Sequence, residues 1–300
     1  MKLIKTKAEY LPQLEGLEGI YKQIELAGRT CYKSEDKITE DSAKAFVDRM
    51  IKSNHLAMLE HGTVYLKVPV ETWREDEHEW TYMFPEGLPW VSLDCDGKYW
   101  YITTNLRHVL EGNVGIETMN KYLCSPTEHH EKRYTFKVNT SIGVSREGNR
   151  HRVNSIAEQS TRYCNYSKDK FGNEVTFCIP SWLSNIKEGS YTWKDYFGDW
   201  RYVDMSSSIE DKFIAELFSS ERAYLELITK GWQPQQAREN LPLCTATEVI
   251  YTAFASDWKH FFDLRYFETT GKVHPNMLEL TTKMKAVAEE ANIWDDIMKY

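Results

Sequence analysis

The chain has 300 residues, 41% of them hydrophobic and 13% aromatic, which is ample for a buried core and excludes a disordered, solvating segment. Its 37 basic residues are outnumbered by 45 acidic ones, a formal charge of −8, so the surface as a whole repels phosphate backbones and a nucleic-acid polymer is not an expected partner. Any anion site must be a local cluster of Arg set against that sign.

Residues Met1 to Gly16 carry charges where a secretory signal needs an apolar run of about 7–15 residues. No stretch approaches the ~18 apolar residues of a membrane span, so a cytoplasmic protein without membrane contact is expected. Residues 39 to 54 place Phe46, Val47, Met50 and Ile51 on one helical face after polar Glu40, Asp41 and Ser42. Residues 63 to 70 alternate as a half-buried strand whose Pro69 suits an edge or an end. From about 71 to 132 the chain is rich in Trp, Glu, Asp, Gly and Tyr, with one strand at Tyr99 to Thr103 and a short helix at Leu106 to Glu111, and reads as an inserted, partly structured excursion.

Further on, Ser208 to Asp211 resembles a capping box opening a helix that carries Phe213, Ile214, Leu217, Phe218, Leu225 and Ile228 before Gly231 ends it. Pro234 starts a short helix to about Asn240, Thr247 to Ala253 alternates like a strand, and Ser256 with Asp257 begins a helix through Arg265. After Pro275, Met277, Leu280, Met284, Val287 and Ala291 recur at helical spacing as a packing stripe. No repeat or linker divides the chain. The six cysteines, Cys31, Cys95, Cys124, Cys164, Cys178 and Cys244, form no CxxC pair and read as reduced, mostly buried thiols. Cys244 has no neighbouring base to make it a nucleophile.

The chemistry concentrates in Arg150-His151-Arg152-Val153-Asn154-Ser155-Ile156-Ala157-Glu158-Gln159-Ser160-Thr161-Arg162-Tyr163, which holds three Arg, one His and two Ser with a single acid. If the first triplet is extended, Arg150 and Arg152 project to one side, and Ser160 and Arg162, two apart, can do the same. Guanidinium forks then face phosphate oxygens while hydroxyls and backbone N–H groups fill the remaining acceptors. A merely solvated basic face has no reason to keep Ser, Glu, Ser and Arg at fixed offsets behind it.

Arg-His-Arg followed by Ser155, Glu158, Ser160, Arg162 and Tyr163 closely resembles the signature of flavin-dependent thymidylate synthases. Three further pieces agree in order: Glu60-His61 before a strand, Ala237-Arg238 followed by Leu241-Pro242, and His260-Phe261 leading to Leu264-Arg265. The resemblance covers residues 30 to 70 and 134 to 295 and leaves out the excursion. It implies an α+β fold with a mainly antiparallel sheet packed with helices. One domain over residues 1–300, with an insertion at about 71–132, would assemble as a homotetramer with shared sites. The implied reaction turns dUMP into dTMP, with methylenetetrahydrofolate as carbon donor, FAD as redox carrier and NADPH as reductant, and uses no protein nucleophile or metal.

Carried over by position, the resemblance gives Arg150, His151 and Arg152 to FAD, with Arg150 also near the nucleotide. Glu147, Glu158, Gln159, Ser160, Thr161 and Arg162 become the dUMP cradle, with Ser160 and Arg162 at the phosphate and Glu158 also touching FAD. Arg238 becomes a second nucleotide-binding Arg donated by a neighbouring subunit. His61, Thr63 and His260 lie on the flavin side. Arg265 carries the catalysis by stabilising negative charge on the uracil ring. Without the resemblance, His260 beside Phe261 and Phe262 would read as a core histidine.

Some positions depart from the commonest family pattern. Ala157 replaces a polar residue, Phe254 and Ser256 stand where some members have Asn and Arg contacting FAD, and His274-Pro275 replaces a Gln-containing stretch. Glu147, close to a phosphate, needs a donor such as Arg146 or ribose hydroxyls. Three other readings compete. A cysteine-dependent thymidylate synthase needs a thiol in its own setting, and a nucleotide or RNA binding protein built on the Arg cluster predicts phosphate affinity without redox chemistry. A metal hydrolase built from Glu60, His61 and His151 lacks a paired-histidine spacing.

Overall fold

The computed structural model describes residues 1–75, 89–112, 114–199, 202–204 and 206–300, so residues 76–88 and 113 of the excursion lie outside the described residues. Three sheets are present among them. A four-stranded antiparallel sheet, in the order β2-β6-β10-β7, is formed by β2 (Lys7–Tyr10), β6 (Arg133–Ser141), β10 (Ala246–Phe254) and β7 (Ser155–Glu158). A three-stranded antiparallel sheet joins β3 (Thr63–Pro69), β5 (Tyr99–Asn105) and β4 (Ser92–Cys95). The third sheet has β1 (Lys2–Ile4) between a parallel β8 (Thr176–Cys178) and an antiparallel β9 (Gly189–Ser190). The α+β expectation, mainly antiparallel and packed with helices, is therefore met, and no helix among the described residues is long and apolar enough to cross a membrane.

Register explains how the central sheet buries two faces. Val138 pairs with Val249, Phe136 with Tyr251 and Tyr134 with Ala253. Since alternate side chains share a face, these six project together, under the helices Ala255–Arg265 and Pro275–Glu290. Trp258 fills that layer, its ring edge-on to Phe136 at 4.9 Å and its indole N–H donating to the Tyr134 carbonyl at 3.0 Å. The opposite face presents Arg133, Thr135 and Thr252, with Ile250 and Ala157 packed against Ala27 of the helix Gly16–Tyr32. Ala157 is thus core filling on this face, which accounts for the missing polar group.

The helices expected near 39–54, 208–230 and 275–291 are found at Ser42–Lys52, Ile209–Thr229 and Pro275–Glu290. Ser208 caps the second by accepting the Asp211 N–H at 3.0 Å. The described part of the excursion is ordered: β4, β5 and the helices Leu106–Glu111 and Gly115–Tyr122 share one core with β3 and the helices Gly16–Tyr32 and Ser42–Lys52. A Cβ on Gly62 would lie 2.6 Å from Ile24 Cδ1 and 2.7 Å from Ile20 Cγ2, so the residue between His61 and β3 must be glycine for that strand to reach the helix. Gly62→Ala is accordingly expected to destabilise the fold by about 1–3 kcal/mol, the usual cost of overpacking. Chemical denaturation checks this, and an unchanged midpoint would show that the helix and strand can separate freely.

Candidate active site

The helix Ile142–Gly148, capped by the Ser141 hydroxyl, runs directly into the signature. There the Arg150 N–H donates to the Glu147 carbonyl at 3.3 Å, the His151 N–H to Gly148 at 3.1 Å and the Asn154 N–H to His151 at 3.1 Å. The Arg-His-Arg triplet is therefore a turn and not the extended run considered from its alternation, because the helix end offers carbonyls that take up these amides. Arg150 and Arg152 still project outward, both exposed, while His151 is buried. The turn rounds the edge strand β7 and so delivers residues to both faces of the sheet.

On the Trp258 face, His151 Nε2 accepts the Arg265 Nε–H at 3.1 Å. Arg265 also donates Nη2 to the Glu147 carbonyl at 3.3 Å, and its Nη1 stands 3.7 Å from Glu147 Oε2. The cation that stands beside the Glu147 carboxylate is thus Arg265, as an ion pair, and not Arg146. The base of Arg265 is fixed as well, since its own carbonyl at the helix end accepts the Thr281 hydroxyl at 2.9 Å. Burial first, then the charges of Arg265 and His260, hold the His151 ring down to about 4, which makes it a neutral acceptor. His260 lies 6.0 Å away ring to ring and is exposed, so it is not a core histidine.

Glu158 projects from β7 on the same face. Its Oε1 accepts from Ser145 at 2.7 Å and Thr247 at 3.1 Å, and its Oε2 from Asn149 at 3.2 Å. Asn149 accepts the Tyr251 hydroxyl at 3.0 Å, so this carboxylate is wired to the turn that carries His151. The expected phosphate residues form a separate group. Buried Gln159 and half-buried Ser160 are pinned by their backbone N–H groups, to the carbonyls of Glu248 and Cys31, both at 2.8 Å. Arg162 donates Nε to Gln235 at 2.9 Å, and Arg238 donates Nη1 to the Thr161 hydroxyl of its own chain at 3.0 Å. Among the described residues no hydrogen bond or ion pair joins Ser160, Arg162 or Arg238 to the Arg265 cluster.

On the other face His61 is fully buried, with Nδ1 2.9 Å from the Thr252 hydroxyl, and burial with the Arg133 charge holds its ring down to about 3. Arg133 donates to Thr63 Oγ1 at 3.3 Å and to Ser155 Oγ at 3.1 Å. A cavity of about 400 Å³ opens here, lined by Arg133, Arg152, Asn154 and Phe254 and also by Trp90 and Arg107. Asn154 is 6% exposed, and neither polar atom of its amide has a partner. Arg133, Arg107 and Asn154 were not expected from sequence: the first two carry no motif, and Asn154 is one of the two residues between Arg152 and Ser155 to which the signature gives no role.

Cys164 and Cys178 are buried, but Cys95 is exposed and the others are half-buried, so the thiols are less sequestered than composition suggested. Burial pushes the Cys244 thiol up to about 11, the wrong direction for a nucleophile. Among the described residues no group of three or more His, Cys, Asp or Glu could hold a metal ion.

The family model described as "Thymidylate synthase complementing protein" matches residues 113–291, well over half of the chain. The chain belongs to that family, the flavin-dependent thymidylate synthases whose signature it carries. The flavin-dependent thymidylate synthase of Pyrococcus furiosus is 32% identical over 119 residues, and that of Pyrococcus abyssi 29% over 119 residues. Each match covers 40% of this chain and 40% of the relative, so the alignment spans about two fifths of those proteins. Among solved structures, a UMP/dUMP methylase PolB from Streptomyces cacaoi bound with 5-Br dUMP is 17% identical, with a TM-score of 0.43 over all of this chain and 96% of that one. Its complex with 5-Br UMP gives 16% and 0.44, covering 100% and 95%. Likeness at that level is too loose to argue from.

The two depressed histidines predict an acid-sensitive fold. Unfolded, each ring titrates near its ordinary value of 6.5, while in the fold His61 and His151 stay neutral down to about 3 and about 4. Between these values the unfolded chain binds protons that the folded chain does not, so stability falls as pH drops below 6.5. The slope approaches about 1.4 kcal/mol per pH unit for each ring. The unfolding midpoint should be lower at pH 5 than at pH 7, and His151→Gln should narrow that difference. An unchanged difference would mean that the buried ring already carries its proton.

Proposed function

We propose that this chain is a flavin-dependent thymidylate synthase: a cytoplasmic homotetramer, each chain one domain with an inserted segment at about 71–132. It would convert dUMP to dTMP with methylenetetrahydrofolate as carbon donor, FAD as redox carrier and NADPH as reductant. The observation that carries this reading is the 3.1 Å bond from Arg265 Nε to His151 Nε2, which brings the catalytic guanidinium of the resemblance onto the centre of the signature from 114 residues away.

The flavin, when bound, supplies hydride storage and delivery, chemistry outside the repertoire of side chains. The residues present suit such a group: the cavity beside Arg152 offers the unpartnered amide of Asn154 and the unpartnered Nε of Arg133, buried polar atoms that a ligand can satisfy. By the resemblance Arg150, His151, Arg152, Glu158, His61, Thr63 and His260 would hold it.

For the nucleotide, Glu147, Glu158, Gln159, Ser160, Thr161, Arg150, Arg162, Arg238 and Arg265 form the proposed cradle. Gln235 and Thr161 steady the guanidiniums of Arg162 and Arg238, so that less side-chain freedom is lost when phosphate arrives. Carbon C5 of uracil becomes nucleophilic as negative charge spreads through the ring, and a guanidinium against the ring edge stabilises that charge as it grows. Neutral His151 fixes Nε and the Glu147 carbonyl fixes Nη2, so the plane of the Arg265 fork is set before substrate binds.

The purified protein is expected to be yellow or to take up FAD, and NADPH should bleach it, with a rate that depends on dUMP. A colourless protein that does not bind added FAD would overturn the reading. Arg265→Lys keeps the charge but loses the planar fork, so it should bind FAD and be reduced by NADPH yet form dTMP roughly tenfold or more slowly. Comparing flavin reduction with dTMP formation separates these roles; equal damage to both would make Arg265 a flavin-binding residue.

A further inference from the structure

The family match begins at residue 113, yet the cavity beside Arg152 is lined in part by residues that precede it. Trp90 is 44% exposed at this wall and held in place: its indole N–H donates to His108 Nδ1 at 2.9 Å, and its carbonyl accepts the Thr104 hydroxyl at 3.1 Å. Arg107 is fixed by two carboxylates, donating Nη1 to Glu60 at 2.7 Å and Nε to Glu111 at 2.9 Å. The same cavity is lined by Arg133 and Arg152, neither of which has a carboxylate partner among the described residues, and by the unpartnered, 94% buried amide of Asn154. A fixed aromatic face, an amide with a donor and an acceptor to spare, and guanidiniums in excess of the local acids select a planar heteroaromatic ring joined to phosphate.

We propose that Trp90 and Arg107 form a second binding wall for an adenine dinucleotide, in addition to the wall supplied by the signature. Resting on the flavin reading above, the ligand is FAD or NADPH, which share the ring and pyrophosphate that this chemistry selects. The wall also answers a departure noted in the sequence. Apolar Phe254 lines the cavity where, by the resemblance, some members have a polar flavin contact, and polar and stacking groups are supplied instead by the segment that runs from Trp90, just before β4, to Arg107, in the helix Leu106–Glu111 after β5. The segment is then part of the site, and its two anchors are specificity-determining residues.

The test titrates FAD, and separately NADPH, into the full-length protein, reading quenching of flavin fluorescence and the fluorescence of the reduced nicotinamide. Wild type is compared with Trp90→Ala, Trp90→Phe, Arg107→Gln and Arg152→Ala, each checked for an unchanged near-ultraviolet circular dichroism envelope outside the lost indole signal. Trp90→Ala and Arg107→Gln are each expected to weaken one dinucleotide about tenfold, the size of a lost stacking contact or charged hydrogen bond, and Trp90→Phe to recover most of the loss. The ligand affected identifies which dinucleotide the wall serves. If both variants stay within about twofold of wild type for both ligands while Arg152→Ala loses FAD, the wall is structural only and the flavin reading stands. If wild type binds no FAD, the flavin reading falls; the wall then survives only if NADPH binding shows the same losses.

Discussion

Arg133 is a buried charge with neutral partners, and much of the architecture around the site is arranged to tolerate it. The residue is 8% exposed at the first position of β6 and donates to the Glu60 carbonyl at 3.1 Å, to Thr63 at 3.3 Å and to Ser155 at 3.1 Å. Those partners come from the turn before β3, from β3 itself and from β7, so one guanidinium sets the spacing between two sheets. Burial pushes it down to about 10, which leaves it charged at neutral pH. Charged hydrogen bonds at about 1.5–3 kcal/mol each roughly match a desolvation cost of several kcal/mol, so little net stability results. What results is position and field: His61 is held neutral, and the cavity acquires a positive wall inside a chain of charge −8.

That field has a direction because the edge strand β7 separates two environments. Odd and even positions of the sheet face different layers, and the turn before β7 sends His151 to the Arg265 side and Arg152 with Asn154 to the Arg133 side. One short segment thereby contributes to two sites without either Arg being buried against the other. The same parity places Glu158 beside Ser145 and Asn149, and Ser155 beside Arg133.

Sequence periodicity disclosed the helices whose apolar stripe is long and uninterrupted, as in Pro275–Glu290, and the strands that alternate clearly, as in Thr63–Pro69. It did not disclose the helix Gly16–Tyr32, although Leu17, Ile20, Ile24 and Ala27 have the right spacing. Gly19, Gly28 and a buried Glu25 dilute the stripe, and Glu25 is tolerated only because Arg29 at 2.9 Å and Ser42 at 2.7 Å satisfy it. β2 and β7 have four residues each and exist through their pairing with β6 and β10, which no local signal encodes. The site divides in the same way. His151 and Arg152 were legible because the signature fixes their spacing, and Arg265 because it closes the separate His260-Phe261 piece, whereas Arg107, Arg133 and Asn154 matter only through partners far away in the chain.

Read as letters, Arg-His-Arg is a run of three basic residues; in the fold it is two cations flanking a neutral acceptor. The distinction follows from electrostatics. A protonated His151 at 3.1 Å from the Arg265 Nε would be a like-charge contact costing about 5 kcal/mol even at an effective dielectric near 20, before any desolvation of the buried ring. The ring therefore gives up its proton and accepts one hydrogen bond, and that bond fixes the orientation of Arg265. Lysine or arginine at position 151 would bring back the repulsion, and an aliphatic residue would leave the Nε–H without an acceptor. Histidine meets both conditions because its ordinary pKa lies close enough to neutrality for burial to settle the question.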